Sequence, residues 1–109
     1  MFNVVSTPTF TRDVTIHVPS GDDFKEESLK ATFVVLSDDE KGNADLTTPE
    51  DVKGFLRKAI VSLGDLVDED GKPVTYSPAI LEGLIGLGYV RLALLTTYTR
   101  AQVKALTGN

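Results

Sequence analysis

The stretch Val52-Lys-Gly-Phe-Leu-Arg-Lys-Ala-Ile-Val-Ser-Leu63 opens the segment Val52–Tyr98, which decides the fold of this chain. Its apolar residues recur at intervals of three and four positions, which is typical of one face of an amphipathic helix. They are Val52, Phe55, Leu56, Ala59, Ile60 and Leu63. Thr48-Pro49 supplies an N-cap and a proline at the first helical position, and Gly64 is a stop signal. The sequence therefore predicts a helix near residues 49–63.

The rest of that segment predicts a chain reversal followed by two more helices. Residues 65–76 hold short apolar pieces on both sides of Asp70-Gly71, a composition suited to a hairpin-like turn. Ser77-Pro78 is typical of a helix start. Internal glycines predict a break near Gly86–Gly88, because glycine is unfavourable inside a helix. We therefore expect helices near residues 78–87 and 89–105.

The N-terminal third has a different period. Residues 10–18 and 28–36 alternate between apolar and polar, which indicates two half-buried strands. Arg12 is the exception on the apolar side of the first strand. About ten residues separate the strands, so we expect an antiparallel hairpin with a long loop. Ser37 and Glu40 have the spacing of a capping box, which predicts a short helical turn.

Together these patterns predict an α+β fold, in which an N-terminal antiparallel β-hairpin packs on a small bundle of about three helices. A chain of 109 residues is long enough for one domain, so we expect a single domain over residues 1–109. Residues 1–9 are expected to be a loose lead-in, and residues 107–109 a frayed tail.

Composition excludes several classes of function. The net charge is −5, which argues against a nucleic-acid binder because such proteins present a basic patch to phosphates. The absence of cysteine excludes disulfide and thiol chemistry. No run of 18 apolar residues and no secretory signal is found, so we expect a cytoplasmic protein that does not enter a membrane.

The acidic turn Asp68-Glu-Asp-Gly71 was compared with a calcium-binding loop. With Gly71 at loop position 6, Leu66 falls at position 1 and Ser77 at position 12, where acidic ligands are needed. A solvated acidic turn is the better interpretation. Because His17 is the only histidine and there is no cysteine, a zinc site of the usual kind is also excluded. No metal or cofactor is therefore expected.

Catalytic groups are equally hard to assemble. The carboxylate pairs Asp22-Asp23 and Glu26-Glu27 fall in the predicted hairpin loop, where nothing supplies a cleft that would shift their pKa values. The sequence also lacks a Gly-x-Ser-x-Gly nucleophile elbow, so there is no serine of that kind for His17 to activate. We therefore expect that the protein is not an enzyme and has no catalytic residue.

The last helix carries apolar residues on more than one face. Leu92, Leu94 and Leu95 surround its circumference, and a chain of this size has a limited core to bury them. Surplus apolar surface usually marks a partner site. Burial of all three within the monomer is the alternative, and the sequence leaves both open.

Several stretches of the chain, by their order and spacing, resemble the tail assembly chaperones of long-tailed, siphovirus-like bacteriophages. The resemblance covers residues 10–98, with one departure after Leu63, where a tryptophan is expected and Gly64-Asp65 stands. The stretches that carry it are Phe10-Thr-Arg-Asp-Val-Thr-Ile-His-Val-Pro19, Lys30-Ala-Thr-Phe-Val-Val-Leu36 with Ser37-Asp-Asp-Glu40, Phe55-Leu56, Gly64-Asp-Leu-Val-Asp-Glu-Asp-Gly71, Val74-Thr-Tyr-Ser-Pro78 and Tyr89-Val-Arg-Leu-Ala-Leu-Leu95.

The resemblance implies a non-enzymatic protein that binds and solubilises the tape measure protein during tail morphogenesis. It implies the host bacterial cytoplasm as location and absence from the mature virion. The tail tube protein is a second partner to consider, and a homo-oligomer stays open. Binding of a helical client in a groove would use apolar side chains of the last two helices. The residues expected to bind the partner are Leu84, Leu87, Leu92 and Leu95.

Two other classes compete with this interpretation. A structural head–tail or tail component would share the phage context but would remain in the virion. A small acidic inhibitor that mimics nucleic acid would need an ordered row of exposed carboxylates. The acids of this chain cluster in predicted loops, which disfavours the inhibitor.

Overall fold

The α+β architecture is confirmed by a computed structural model, which describes the backbone of residues 1–4, 7–42 and 46–107 and the side chains of these ranges as far as residue 104. A three-stranded antiparallel sheet of order β1-β2-β3 packs against four helices. In chain order the elements are β1 (Thr9–Ser20), β2 (Asp23–Val34), α1 (Asp38–Lys41), α2 (Pro49–Ala59), β3 (Ile60–Gly64), α3 (Pro78–Ile85) and α4 (Gly88–Thr107).

The predicted hairpin is present, but the prediction of a long loop is wrong. β1 and β2 pair along their whole length, from Thr9 opposite Val34 to Ser20 opposite Asp23. Only Gly21 and Asp22 are left for the turn. Gly21 has a φ of 63°, the conformation that a two-residue hairpin turn with glycine at its first central position requires. Polar side chains in the outer halves of both strands hid this pairing, because both faces are exposed there.

The inner halves of the two strands provide the sheet side of the core. The residues that alternate as predicted are buried on the face that meets the helices: Val14, Ile16, Leu29, Ala31 and Phe33. Lys30 and Thr32 project from the opposite, open face, opposite Asp13 and Thr11. Lys30 Nζ donates to Asp13 Oδ1 at 2.7 Å, and the two threonine hydroxyls are hydrogen-bonded at 2.9 Å.

Helix starts follow the sequence signals closely. Ser37 and Glu40 form the predicted capping box at α1, with each side chain bonded to the backbone N–H of the other residue. Thr48 caps α2 through Asp51 N, and Ser77 caps α3 through Ile80 N. A hydroxyl at the N-cap satisfies a backbone N–H that has no partner inside the helix.

The predicted helix 49–63 is too long at its C-terminal end. α2 ends at Ala59, and residues 60–64 form β3, which pairs with β2. Gly64 is therefore not a helix stop but the last residue of a strand. Ile60 and Leu63 fit the apolar stripe of a helix, but they are equally suited to the buried positions of this strand. The β-branched pair Ile60-Val61 favours the strand, and β2 offers an edge with which it can pair.

The predicted reversal between β3 and α3 is confirmed. Val67 and Pro73 form an isolated antiparallel bridge. Asp68 Oδ1 accepts hydrogen bonds from the backbone N–H groups of Asp70 and Lys72. The Asp68 carboxylate therefore stabilises a turn through its own backbone, a common role for aspartate in loops.

The predicted break between the last two helices is also confirmed. α3 ends at Ile85 and α4 starts at Gly88, with their axes bent by 103° relative to each other. Arg91 Nη1 donates to the carbonyl of Ile85 at 2.9 Å, which satisfies an acceptor at the C-terminal end of α3. α4 extends to Thr107, so the backbone of Thr107 is helical and not part of a frayed tail, and residues 108–109 of the predicted tail lie outside the described residues.

A cluster of four aromatic rings joins the sheet to α2 and α4. Tyr98 of α4 lies against Phe10, Phe33 and Phe55, and the ring centroids are 5.1 to 5.7 Å apart. The Tyr98 hydroxyl accepts a hydrogen bond from Leu36 N at 3.1 Å. The start of β1, the segment after β2, and the helices α2 and α4 are therefore held together at one point in the core.

Candidate partner-binding site

The four leucines predicted to bind a partner divide into two pairs. Leu87, between α3 and α4, is 42% exposed, and Leu92, on α4, is 65% exposed. Leu84 and Leu95 are half-buried and pack against the core. Leu87 and Leu92 are thus the more accessible pair, while Leu84 and Leu95 lie mainly against the core.

The α3–α4 corner places Leu87 on the surface. α3 ends at Ile85, and Leu87 N donates to Leu84 O within the turn that follows. Arg91 N then donates to Leu87 O, which starts the hydrogen-bond ladder of α4. Because both its N–H and its C=O are hydrogen-bonded, the backbone of Leu87 is held in place although its side chain is exposed.

A shallow depression of about 210 Å³ lies between the N-terminal part of α4 and the segment that leads into α2. Leu92 and Leu95 form part of its wall. We call it the leucine depression. Its lining consists of Leu46, Thr47, Thr48, Pro49, Val52, Gly88, Arg91, Leu92 and Leu95.

Sequence reasoning missed Leu46, which lines the leucine depression, and Tyr89, which follows the lining residue Gly88. Leu46 is 39% exposed and lies in the polar connection before α2, so no helical period pointed to it. Tyr89 is 38% exposed and follows Gly88 directly. With Leu87 and Leu92 they are among the large apolar residues that the fold leaves exposed. Exposed apolar residues that lie close together are typical of protein-binding surfaces, and tyrosine is enriched there.

A larger groove of about 510 Å³ lies on the other side of Leu92, between β1 and α4. The only sequence signal for it was Arg12, the charged residue on the apolar side of the first predicted strand. Leu92 borders both the groove and the leucine depression. The residues that line the groove are Arg12, Asp13, Thr15, His17, Tyr89, Leu92, Ala93, Thr96, Thr97, Arg100, Ala101 and Lys104.

Ion pairs lie outside the leucine depression. Arg57 donates to both carboxylate oxygens of Glu82 at 2.8 Å and lowers the pKa of Glu82, while Glu82 raises the pKa of Arg57. The hydrogen bond from the backbone N–H of Ser37 lowers the pKa of the Glu40 carboxyl. Asp13 raises the pKa of Lys30 through their hydrogen bond. These shifts follow from helix capping and surface pairing, not from a reactive cleft.

The side chains that could take part in catalysis or metal binding do not form a common site among the described residues. His17 is exposed on β1, and its ring lies tilted against that of Phe24 across the hairpin, with the ring centroids 4.7 Å apart. Burial raises the pKa of Tyr76, which is half-buried beside the core. Within the described residues, no group of three histidine, cysteine, aspartate or glutamate side chains is arranged to hold a metal ion.

The described helices were also compared with the requirements of a membrane span. No single one of them is long and apolar enough to cross a bilayer. α3 and α4 together reach the length and hydropathy of a span, but the bend of 103° separates them.

Comparison of the chain with family models, curated proteins and solved structures finds no match.

Proposed function

We propose that this protein is a binding protein for an apolar helical partner, and specifically a phage tail assembly chaperone that binds and solubilises the tape measure protein during tail morphogenesis. The observation that carries the proposal is the exposure of Leu87, Tyr89 and Leu92 around the start of α4, next to the leucine depression. The resemblance across residues 10–98 supports the identity of the client.

The size and lining of the leucine depression favour a side chain as its occupant. About 210 Å³ is below the roughly 300–1,000 Å³ of pockets that hold small molecules. An apolar side chain from a client helix would fill it and cover Leu92, while Leu87 and Tyr89 would contact the flanking turns. This is the helix-in-groove mode of recognition, in which a few apolar anchors supply most of the affinity.

The charge of the chain fits the same role. A net charge of −5 keeps a complex with an aggregation-prone client soluble. Because binding would depend on buried apolar area, it should survive high salt better than a contact between charges, which screening weakens. In this proposal the protein acts in the host cytoplasm, is absent from the finished virion and catalyses no reaction.

Co-expression with the tape measure protein of the same phage is the test. The soluble fraction of the client should rise several-fold with the wild-type chain, and Leu87→Glu and Leu92→Glu should each abolish the gain. Thr99→Glu is the matched control, because it adds the same charge to an exposed position of α4 outside the depression. Thermal unfolding of each purified variant should show that all three still fold.

Mass spectrometry of purified virions separates the proposal from its main competitor. A chaperone leaves the particle, whereas a structural head–tail or tail component is present in stoichiometric amounts. A client that stays equally insoluble with and without the chain, together with recovery of the chain from virions, would replace the proposal by the structural role.

A further inference from the structure

The groove between β1 and α4 runs along the edge of the sheet. Arg12 and Asp13 are neighbours in β1, so their side chains project to opposite faces of the sheet. Both line the groove. Since residues from both faces of β1 line the groove, we infer that the groove lies beside this strand, along its backbone edge.

β1 is an edge strand that offers its outer backbone to this groove. The sheet order β1-β2-β3 gives β1 a single neighbour. In an antiparallel pair, alternate residues of an edge strand direct N–H and C=O away from the partner. Over the described part of the chain, no backbone hydrogen bond joins β1 to any strand or loop other than β2. Twelve residues make a long open edge, the kind of edge to which another chain can add.

The groove is cationic, although the chain as a whole carries a net charge of −5. Arg12 and Arg100 line it, and Asp13 is the only carboxylate among the described residues of its lining. The Asp13 carboxylate already accepts a hydrogen bond from Lys30 at 2.7 Å. The local balance therefore favours an occupant with negative charge.

The position of Arg12 is fixed by two contacts. Its guanidinium lies 5.2 Å from the centre of the Phe10 ring, and Nη1 donates to Thr11 O at 2.9 Å. A cation held over an aromatic face loses less conformational freedom when it binds a carboxylate. Arg12 is thus prepared to pair with an anionic group in the groove.

We propose that this groove binds an extended, acidic segment of a partner protein, which adds to the free edge of β1 as a further strand. Its carboxylates would pair with Arg12 and Arg100, and its alternate apolar side chains would face Leu92 and Ala93. From Tyr89 to Lys104 the α4 wall is about 22 Å long, which matches about seven residues of extended chain. This surface shares Leu92 with the leucine depression, but its occupant has different chemistry.

The test uses two nine-residue probe peptides, in which valine alternates with glutamate or with lysine. Fluorescence anisotropy should show that the glutamate peptide binds at least tenfold more tightly than the lysine peptide, with an affinity that falls as salt is added. Amide hydrogen exchange should slow at alternate residues of β1 when the glutamate peptide is bound. Slowed exchange in α4 alone, with β1 unchanged, would overturn the addition of a strand.

Arg100→Glu is the diagnostic variant, since Arg100 is exposed and lies outside the core. It should lower the affinity for the glutamate peptide at least tenfold. Lys72→Glu makes the same change of charge at an exposed position outside the groove and should alter this affinity less than twofold. A dispersed amide spectrum verifies that each variant folds. Equal losses in both variants would overturn the groove as the site. A single-stranded DNA oligonucleotide that binds as tightly as the glutamate peptide would overturn an acidic protein segment as the preferred occupant.

The two proposals fail independently. Arg100→Glu should leave solubilisation of the tape measure protein unchanged, and Leu87→Glu should leave binding of the glutamate peptide unchanged. Loss of both activities in Arg100→Glu would mean that one client occupies the groove and the leucine depression together, and would overturn a separate acidic partner.

Discussion

The helices α2 and α4 both pack on the sheet, but they distribute their apolar residues differently. α2 buries its apolar face completely, with Val52, Phe55, Leu56 and Ala59 in the core. α4 buries Val90, Leu94 and Tyr98 on one side and leaves Leu92, Tyr89 and Val103 exposed on others. A helix that only supports the core needs one apolar stripe. The extra apolar residues of α4 are not needed for that purpose, which is why we assign them to partners.

The polar sides of the two helices differ as well. The outer face of α2 is tied to its own chain: Arg57 pairs with Glu82, and Lys58 donates to the carbonyl of Glu40. The outer sides of α4 border two cavities instead, the leucine depression and the β1–α4 groove. α2 therefore mainly stabilises the fold, although Pro49 and Val52 reach the leucine depression, while α4 both stabilises the fold and borders both cavities.

The largest expected effect compares Phe55→Ala in α2 with Leu92→Ala in α4. Phe55 is buried and meets Tyr98 edge to face at 5.1 Å, so its loss should lower the free energy of unfolding by roughly 3–5 kcal/mol. Leu92→Ala should change it by less than about 0.5 kcal/mol, because the side chain is mainly exposed. Chemical denaturation of both variants measures the difference. Equal losses would mean that α4 contributes its outer face to the core, and the comparison would fail.

An intermediate effect is expected at the inner face of α4. Tyr98→Phe keeps the ring in the aromatic cluster but leaves the buried Leu36 N–H without its acceptor. An unsatisfied buried donor costs about 1–3 kcal/mol, so the free energy of unfolding should fall by that amount. Tyr76→Phe is the control, since no hydrogen bond of its hydroxyl is found among the described residues. A similar loss in both variants would show that the Leu36 contact is not responsible.

Local signals allowed much of this fold to be predicted. Hydroxyl side chains at Ser37, Thr48 and Ser77 marked three helix starts, and the glycines at the α3–α4 corner marked the break. These features depend on a few neighbouring residues, so the sequence displays them directly. β3 was missed because Ile60 and Leu63 fit both a helical stripe and a strand. Only the free edge of β2, which is a tertiary feature, decides between the two.

The candidate site could be predicted only in part. Leu87 and Leu92 were expected on the surface that binds a partner and are exposed, whereas Leu84 and Leu95 could not be told apart from them by apolarity alone. The β1–α4 groove was not predicted, because it brings together residues more than 70 positions apart in the chain. Arg12 was visible as an exception to the alternation, but its role depends on which element lies beside β1.

The smallest effect concerns the ion pair that fastens α2 to α3. Arg57 lowers the pKa of Glu82 in the folded chain below the value of about 4.3 for glutamate in an unfolded chain. Such a group stabilises the fold at pH values above its unfolded pKa, and the contribution is lost as pH falls through the folded pKa. Glu82→Gln should therefore be slightly less stable than the wild type near neutral pH, and the difference should shrink below about pH 4.

A double-mutant cycle isolates this pair from Glu40, whose pKa is lowered by its hydrogen bond with Ser37 and which is also protonated in acid. The single variants Glu82→Gln and Arg57→Gln and the double variant all keep Glu40, so its titration cancels in the coupling energy. Urea denaturation between about pH 7 and about pH 3 should give a coupling that fades with acid. A coupling that stays constant over this range would show that Arg57 and Glu82 interact without the ionised carboxylate. The ion pair would then not be what distinguishes the outer face of α2 from that of α4.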